Sequence, residues 1–440
     1  MTRPTLAAAA AALFLASPLA AQNYPVKGTG TVVLHAARVI DGSGAATIAD
    51  GVVVVTDDHI VAVGRRGAVA EPAGARVVEL GDATLLPGFI DAHVHIIGRA
   101  LGQPGADGAE VHDYPGFAAI VGAENARRTL MAGFTSVRVL GSPDFMDVAL
   151  RKAIDEGWTI GPRMQVAGHA IGITGGHCDE NGYRPGLMDG TPENGVADGV
   201  EQVRAAVRYQ TKYGADVIKT CATGGVLSEG DAVGVAQYTL EELTALVDEA
   251  HRQGRPVAAH AHGAEGIKLA VRAGVTSIEH GSFLDDEGAR MMAQRGTYLV
   301  PTLSAGEAVV RAADRGVLTG LRAEKARAAG AAMRTAIRRA VAAGVPIALG
   351  TDAGVGQHGA NGHEFTLMHE WGGMTPMQVI VAGTSAAARL LGWQERVGTL
   401  AAGRLADVVA VSGDPLQDVH RLEASGVVFV MKNGVVQKQP

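Results

Sequence analysis

The stretch Leu86-Pro87-Gly88-Phe89-Ile90-Asp91-Ala92-His93-Val94-His95 decides the fold class of this 440-residue chain. An apolar run leads into a His-x-His pair, and this pattern is typical of a buried β-strand that ends in two histidines. Residues i and i+2 of a strand face the same side, so the two imidazoles point into one space. His93 and His95 could therefore share one metal ion.

Seven more strand-like segments follow this first one, and helical patterns lie between them. Thr239-x-x-Glu242 is a capping box that predicts the start of one helix, and an Ala- and Arg-rich helix is expected over 328–343, ending at Gly344. Eight alternating units predict an α/β fold, a TIM (β/α)₈ barrel over residues 84–392. The eight strands are expected at 84–94, 134–140, 163–169, 215–221, 256–262, 275–280, 297–303 and 345–351.

Short strand patterns also flank the barrel region on both sides. They are rich in valine and bounded by turn residues, and Asn433-Gly434 is a hairpin signal near the carboxyl end. We therefore predict a composite β-sandwich domain built from both chain ends, residues 23–83 and 393–440. Its strands are expected at 31–35, 51–55, 59–63, 76–80, 406–411 and 427–431.

Composition and charge narrow the class of protein. Hydrophobic residues make up 47% of the chain and 60 residues are glycine, as expected for an α/β protein with many tight turns. The net charge is −7, and the chain has no run of lysine and arginine. Both features argue against nucleic-acid binding.

Residues 1–22 have the pattern of a secretory signal peptide. An apolar run from Leu6 to Leu15 follows Arg3, and small residues then precede a cleavage point near Ala21 or Gln22. The run is short for a membrane span. We expect export to the periplasm or the medium, with no membrane attachment after cleavage. An uncleaved Ala-rich helix is the alternative.

The chain has two cysteines, Cys178 and Cys221, which are too few for a disulfide framework. Export would allow one bridge between them, but both lie near the candidate site. We expect two buried free thiols.

Candidate metal ligands fall at the ends of the predicted strands, where a (β/α)₈ barrel places its catalytic side chains. A single histidine at a strand end is more often structural than metal-bound. The joint pattern, over the first, fourth, fifth, sixth and eighth strands, indicates a metal site. The residues in chain order are His93, His95, Lys219, His260, His280 and Asp352.

Motifs around these residues make the chain resemble the amidohydrolase superfamily over almost its whole length after the signal segment. The closest resemblance is to an exported branch of metal-dependent dipeptidases and carboxypeptidases, which includes Xaa-Pro dipeptidase-, imidazolonepropionase- and ochratoxinase-like enzymes. The motifs are Pro-Gly-Phe-Ile-Asp-Ala-His-Val-His (87–95), Gly-Phe-Thr-Ser-Val-Arg (133–138), Thr-Gly-Gly-His (174–177), Ala-Asp-Val-Ile-Lys (215–219), His-Ala-His-Gly (260–263), Ile-Glu-His-Gly (278–281), Gly-Thr-Asp-Ala-Gly (350–354) and Gly-Thr-Leu-Ala-Ala-Gly-Arg-Leu-Ala-Asp-Val-Val (398–409).

The resemblance implies a centre of two divalent metal ions. The first two histidines and Asp352 would hold the more buried ion, and His260 and His280 would hold the other. Lys219 would bridge the ions after CO₂ has carboxylated its amine, because a bare ammonium has no acceptor lone pair. Imidazole and carboxylate ligands favour zinc, and manganese or cobalt could substitute for it.

The same resemblance implies a mechanism. A hydroxide shared by the two ions attacks the substrate carbonyl, and Asp352 serves as general base and then as general acid toward the leaving amine. His177 is expected to contact the substrate carbonyl or the transition state, and His262 to bind substrate. Tyr183 and Arg184 lie on a long Gly-rich loop and are further candidate contacts. Arg184 could clamp a substrate carboxylate, or it could be a solvated loop charge.

The leading hypothesis is therefore an exported, metal-dependent hydrolase of C-terminal amide bonds. Its substrates would be dipeptides or N-acyl amino acids, including ochratoxin-type amides, as the resemblance implies. The alternatives are a cyclic-amide hydrolase of imidazolonepropionase type and a non-catalytic binding protein on the same barrel. Export argues against the first, and the complete ligand set argues against the second. The resemblance also predicts a homo-oligomer, with an octamer as one option.

Overall fold

The computed structural model of the protein describes residues 23–440, so the predicted signal segment 1–22 lies outside the described residues. The described part is an α/β structure in which the strands are β1 Thr31–Val39, β2 Ile48–Thr56, β3 His59–Arg65, β4 Arg76–Glu79, β5 Ala83–Pro87, β6 Phe89–Val94, β7 Phe134–Val139, β8 Arg163–Val166, β9 Ile218–Cys221, β10 Val257–Ala261, β11 Ser277–His280, β12 Tyr298–Val300, β13 Val408–Ser412, β14 Val427–Lys432 and β15 Val435–Lys438.

The α-helices lie mostly between the strands of the middle region. They are α1 Ala109–His112, α2 Pro115–Met131, α3 Met146–Asp155, α4 Gly199–Lys212, α5 Leu240–Arg252, α6 Ala264–Ala273, α7 Asp286–Arg295, α8 Leu303–Asp314, α9 Gly320–Ala343, α10 His363–Glu370, α11 Pro376–Val381 and α12 Ala387–Leu390. A π-helical turn, Ala382–Ala386, joins the last two, and 3-10 turns span Pro143–Phe145, Pro192–Asn194 and Val419–Leu422.

Seven parallel strands of the middle region form two sheets. One sheet has the order β6-β7-β8 and the other the order β12-β11-β10-β9. Because parallel neighbours run in the same direction, the carboxyl ends of each sheet lie at one edge. The register places His260 of β10 opposite Glu279 of β11, and Lys219 of β9 opposite Ala258 of β10. Neighbouring strands thus deliver their polar terminal residues to one side.

The prediction of an eighth strand over 345–351 was wrong in part. This segment makes only an isolated bridge, between Ile347 and Leu299 of β12, and the described strands do not form one continuous closed sheet. Pro346 has no backbone N–H for a regular ladder, which disfavours a full strand here. The segment still lies between the two sheets, because Ala348 N donates to Leu299 O at 3.1 Å and Ala92 N donates to Leu349 O at 2.9 Å.

Both chain ends contribute to one eight-stranded sheet, as the sequence predicted for a composite structure. Its order is β15-β14-β13-β5-β1-β2-β3, with β4 paired to β1. The joining contact is antiparallel pairing of β13 with β5, which sets Val408 opposite Pro87. Side chains of both ends share a buried core that includes Leu34, Val53 and Phe429. The boundaries assigned to the domains remain a prediction.

The two predicted helix signals are confirmed. Thr239 caps α5 through a capping box. The Thr239 side chain accepts a hydrogen bond from Glu242 N, and the Glu242 side chain accepts one from Thr239 N. Helix α9 ends at Gly344, which adopts a left-handed φ of 73° that favours glycine. No helix within residues 23–440 combines the length and apolar character needed to cross a lipid bilayer.

Candidate metal centre

A cavity of about 330 Å³ opens at the carboxyl ends of the middle strands. All six residues predicted as metal ligands line it, together with His177 and His262. The rest of the wall is mainly apolar and comes from loops and from helices α8 and α9. The six residues are His93, His95, Lys219, His260, His280 and Asp352.

Three of these residues form a first group of potential ligand atoms. His93 and His95 lie on or directly after β6, and Asp352 follows the 345–351 segment. The Asp352 Oδ1 atom lies 3.6 Å from His93 Nε2 and 3.4 Å from His95 Nε2. All ligand atoms of the group lie within 4.8 Å of one another, so one ion could contact all three.

A second group consists of His260, His262 and His280, and its ligand atoms also lie within 4.8 Å of one another. The ring centroid of His260 is 4.7 Å from those of both His262 and His280. The sequence assigned His262 to substrate binding. The geometry also makes it a candidate ligand, because it stands as close to the group as the two predicted ligands do.

Unpaired buried atoms show that the site fits a cation. His93 Nε2, His260 Nε2 and Asp352 Oδ1 are buried and have no hydrogen-bond partner among the described residues. Each such atom costs about 1–3 kcal/mol when it is left without a partner. One divalent ion at each ligand group would together satisfy all three atoms, and zinc prefers imidazole and carboxylate donors of this kind.

A buried chain of charged groups orients His93. His93 Nδ1 donates to Glu279 Oε2 at 2.9 Å, and Glu279 Oε1 accepts from Arg138 Nη2 at 2.9 Å. Arg138 Nε then donates to the carbonyl oxygen of Ala92 at 2.6 Å. Because the carboxylate only accepts, the proton of His93 sits on Nδ1 and its Nε2 lone pair faces the cavity.

Arg138 and Glu279 belong to the motifs at 133–138 and 278–281, but the sequence did not predict a role for either residue. In the sequence, the available signal was a charged residue inside an otherwise apolar strand. In the structure, both side chains are almost completely buried. Such residues are rarely buried without a partner. Two charges of opposite sign on different strands of the barrel could therefore have been predicted to meet.

The backbone is left-handed at three successive strand ends of the site. His280, Thr302 and Asp352 have φ values of 71°, 48° and 56°. Conformations of this kind cost about 1–3 kcal/mol for residues other than glycine and cluster at functional sites. The His280 ring is held by a 2.7 Å hydrogen bond between its Nδ1 and Thr302 Oγ1.

Asp91 fixes the turn that carries Asp352. Its Oδ1 accepts from Thr351 N at 3.0 Å, and its Oδ2 accepts from Thr351 Oγ1 at 2.6 Å and from Asn361 Nδ2 at 2.8 Å. Asp352 N donates to the carbonyl oxygen of His93 at 2.7 Å. Backbone and side-chain hydrogen bonds therefore connect strand β6, which carries His93, to the turn that carries Asp352.

Burial sets the charge states of the cavity. It lowers the pKa of His260 and His280 well below the usual histidine value and lowers that of His95 to about 4, so these rings are neutral, as ligands must be. Burial also raises the pKa of Asp352 to about 7 and lowers that of Lys219 to about 8. A lysine of lowered pKa is more often the neutral amine, which is the form that reacts with CO₂.

The predicted substrate contacts lie at different distances from the ligands. The His177 ring lines the cavity, with its centroid 4.1 Å from that of His260. Tyr183 stands farther out, where its hydroxyl bonds to Glu110 at the rim of a neighbouring cavity. Arg184 is exposed and does not line the metal cavity. The substrate roles of these residues remain predictions.

Cys178 and Cys221 form a disulfide, so the expectation of two free thiols was wrong. Their Cα atoms lie 5.8 Å apart although the residues are 43 positions apart in sequence, a proximity that spacing alone does not show. The bond ties the residue after His177 to the end of β9, two residues beyond Lys219. Closing a loop of this length stabilises the fold by about 4 kcal/mol in the chain-entropy description.

Comparison with known proteins shows extensive similarity. Residues 84–436 match the sequence model of the Amidohydrolase family. Ochratoxinase from Aspergillus niger is 34% identical over 435 aligned residues, which cover 93% of this chain and 87% of that protein. A crystal structure of a Xaa-Pro dipeptidase with bound methionine in the active site superposes with a TM-score of 0.87 and 38% identity, covering 92% of this chain and 99% of that one. Imidazolonepropionase from Rhizorhabdus wittichii is 27% identical over 399 residues, or 83% of this chain and 89% of that protein.

Proposed function

This chain belongs to the amidohydrolase family and is a hydrolase of amides, and we propose that it cleaves the C-terminal amide bond of dipeptides or N-acyl amino acids with two bound divalent metal ions. The observation that carries the proposal is the pair of ligand groups on one cavity wall, each able to hold an ion. Lys219 lines the same cavity, and we propose that it serves both groups.

Each ion has a separate set of donors. His93, His95 and Asp352 would hold one ion, and His260 and His280 would hold the other. The sequence assigned the more buried position to the first group, but His95 is partly exposed whereas His260 and His280 are buried. We propose that Lys219 is carboxylated: neutral Nζ bonds to the carbon of CO₂, the nitrogen loses one proton to water, and the resulting carbamate carries one negative charge shared by two oxygens. When bound, two such ions supply Lewis acidity, which lowers the pKa of water and polarises a carbonyl.

Asp352 is the proton carrier of the proposed reaction. Water attacks the carbonyl carbon, a C–O bond forms, and an Asp352 carboxylate oxygen accepts the proton that the water loses. As the C–N bond breaks, Asp352 donates this proton to the leaving nitrogen. The burial of its Oδ1 and the fixed turn at Thr351 hold the carboxylate in place for both transfers.

The part of the cavity lining that lies outside the candidate ligands favours a substrate with an apolar side chain. It is built from side chains without charge, and two of them, Val309 and Met333, come from helices α8 and α9 and are almost fully buried. A cavity of about 330 Å³ accommodates a small amide rather than a long peptide. The named activities of the ochratoxinase and the Xaa-Pro dipeptidase support amide substrates of this size.

A cyclic-amide hydrolase of imidazolonepropionase type is the second candidate, favoured by the similarity to the Rhizorhabdus wittichii enzyme. The same ligand groups would serve it. The apolar lining argues against it, because an imidazolone ring is polar and offers no apolar side chain, whereas N-acyl derivatives of phenylalanine, leucine and methionine do.

A panel of substrates tests the proposal. We expect N-acyl derivatives of phenylalanine, leucine and methionine, and dipeptides ending in these residues, to be cleaved at least about tenfold faster in kcat/KM than derivatives of aspartate or lysine, because burying a charge against an apolar wall is costly. Release of the free amino acid is measured with zinc-loaded protein. Turnover of imidazolonepropionate alone would contradict the proposal and establish the second candidate.

Two wider expectations accompany this function. We propose that the two sheets and the 345–351 segment together make up the (β/α)₈ barrel.

We also propose export to the periplasm or the medium, which the Cys178–Cys221 disulfide supports, because such bonds persist in oxidising compartments. Recovery of the protein from the cytoplasm with residue 1 intact would contradict export.

A further inference from the structure

A partly buried row of hydrogen bonds leads from His177 to Lys325. His177 Nδ1 lies 2.9 Å from Ser228 Oγ, and Ser228 Oγ lies 2.7 Å from Asp231 Oδ1. Asp231 Oδ1 also accepts from Lys325 Nζ at 3.1 Å. We call Ser228, Asp231 and Lys325 the His177 relay. Its ion pair is buried, with side chains that are 4% and 9% exposed.

The relay is held in place by further bonds. Lys325 Nζ donates to the carbonyl oxygen of Ser228 at 2.8 Å, and Gln237 Oε1 accepts from His177 N at 3.1 Å. The other Asp231 oxygen, Oδ2, accepts from Gln237 Nε2 at 3.1 Å. Gly225 lies flat against the His177 ring, and a Cβ there would stand 2.2 Å from Nδ1. The ring therefore has a defined position.

The direction of these bonds follows from the donors available. Ser228 has one hydroxyl proton, and the oxygens of Asp231 and of the Gly225 carbonyl, 2.7 and 3.4 Å away, can only accept it. Because Ser228 donates its only hydroxyl proton to one of these oxygens, it has none to donate to His177. Ser228 Oγ therefore accepts the hydrogen bond from His177 Nδ1. The neutral ring then carries no proton on Nε2, the nitrogen that is left for the cavity.

We infer that the His177 relay fixes His177 as the Nδ1–H tautomer, so that Nε2 accepts a hydrogen bond from an N–H group of the substrate. This inference rests on the proposed function and refines it, since sequence reasoning gave His177 a contact with the substrate carbonyl. In this tautomer Nδ1 donates to Ser228 Oγ, and Nε2 can accept a hydrogen bond but cannot donate one. Ser228, Asp231 and Lys325 are positioning residues, because they act through His177.

The tautomer can be measured without any substrate. Protein labelled with ¹⁵N in histidine and loaded with zinc should show His177 with a protonated Nδ1 and an unprotonated Nε2, and its signals are assigned by their loss in His177→Gln. Ser228→Ala removes the acceptor and should shift the ring toward the Nε2–H form. Ser228→Thr keeps the hydroxyl and should retain the wild-type tautomer.

Kinetics provide the second readout. Ser228→Ala should lower kcat/KM by about tenfold, the effect of one hydrogen bond, while Ser228→Thr should stay within about twofold of wild type. A proton on Nε2 of His177 in the wild type, or an unchanged tautomer in Ser228→Ala, would overturn the inference. If the spectra match the expectation but no amide is cleaved, the relay stands and the proposed function fails.

Discussion

Replacing Asp352 with asparagine is expected to lower kcat on an N-acyl amino acid by about 10³-fold, with KM changed by less than about threefold. Asparagine has the shape of aspartate and keeps an oxygen near His93 and His95, but it cannot accept and return a proton. General acid–base groups contribute about 10²–10⁴-fold to rate, and the loss falls on kcat when the group acts on the reacting atoms only. Steady-state kinetics at saturating zinc measure the effect.

The matched control is Asp248→Asn, the same change on the exposed face of helix α5. It should leave both kinetic constants unchanged. The metal content of each variant is measured alongside the rates, because loss of an ion would also lower kcat. Near-normal turnover by Asp352→Asn with a full metal complement would remove the proton-transfer role of Asp352.

Replacing Arg138 with methionine is expected to lower the free energy of unfolding by about 3–5 kcal/mol, the largest stability effect we predict. The substitution leaves the Glu279 carboxylate buried without its cationic partner, and breaking a buried pair from one side has a cost of this size. Glu279 also orients His93, so we expect zinc affinity to fall by about 10–100-fold. Urea unfolding and zinc titration measure the two effects.

The double variant Arg138→Met with Glu279→Leu separates the two effects. It removes both charges, so the free energy of unfolding should recover most of the loss seen in Arg138→Met alone. Zinc affinity should not recover, because Glu279→Leu removes the group that accepts the hydrogen bond of His93 Nδ1. An Arg138→Met protein as stable as wild type would show that the pair is not needed to neutralise the buried carboxylate.

The strand-end rule explains why so much of the ligand arrangement was predictable from sequence. His93, Lys219, His260 and Asp352 are far apart in the chain, yet each lies near or just after the carboxyl end of an apolar segment, and parallel strands bring their carboxyl ends to one edge. The helix signals at Thr239 and Gly344 were equally local. Predictions of this kind succeed because short-range patterns determine them.

Features that depend on distant side chains were not predictable. Lys325 comes from helix α9 and reaches the carbonyl oxygen of Ser228, 97 positions earlier in the chain. Cys178 and Cys221 meet only because a loop folds back onto β9. His262 directly follows β10, which contains His260, and only the proximity of its ring to His260 and His280 shows that it stands among the candidate ligands. The eighth strand was predicted from its apolar run, but Pro346 limits its pairing.

Metal content measured together with activity tests the central claim most directly. Purified protein should contain two divalent ions per chain by elemental analysis. A chelator should remove both ions and abolish hydrolysis of an N-acyl amino acid, and added zinc should restore it. Hydrolysis at the full rate by metal-free protein would contradict the account.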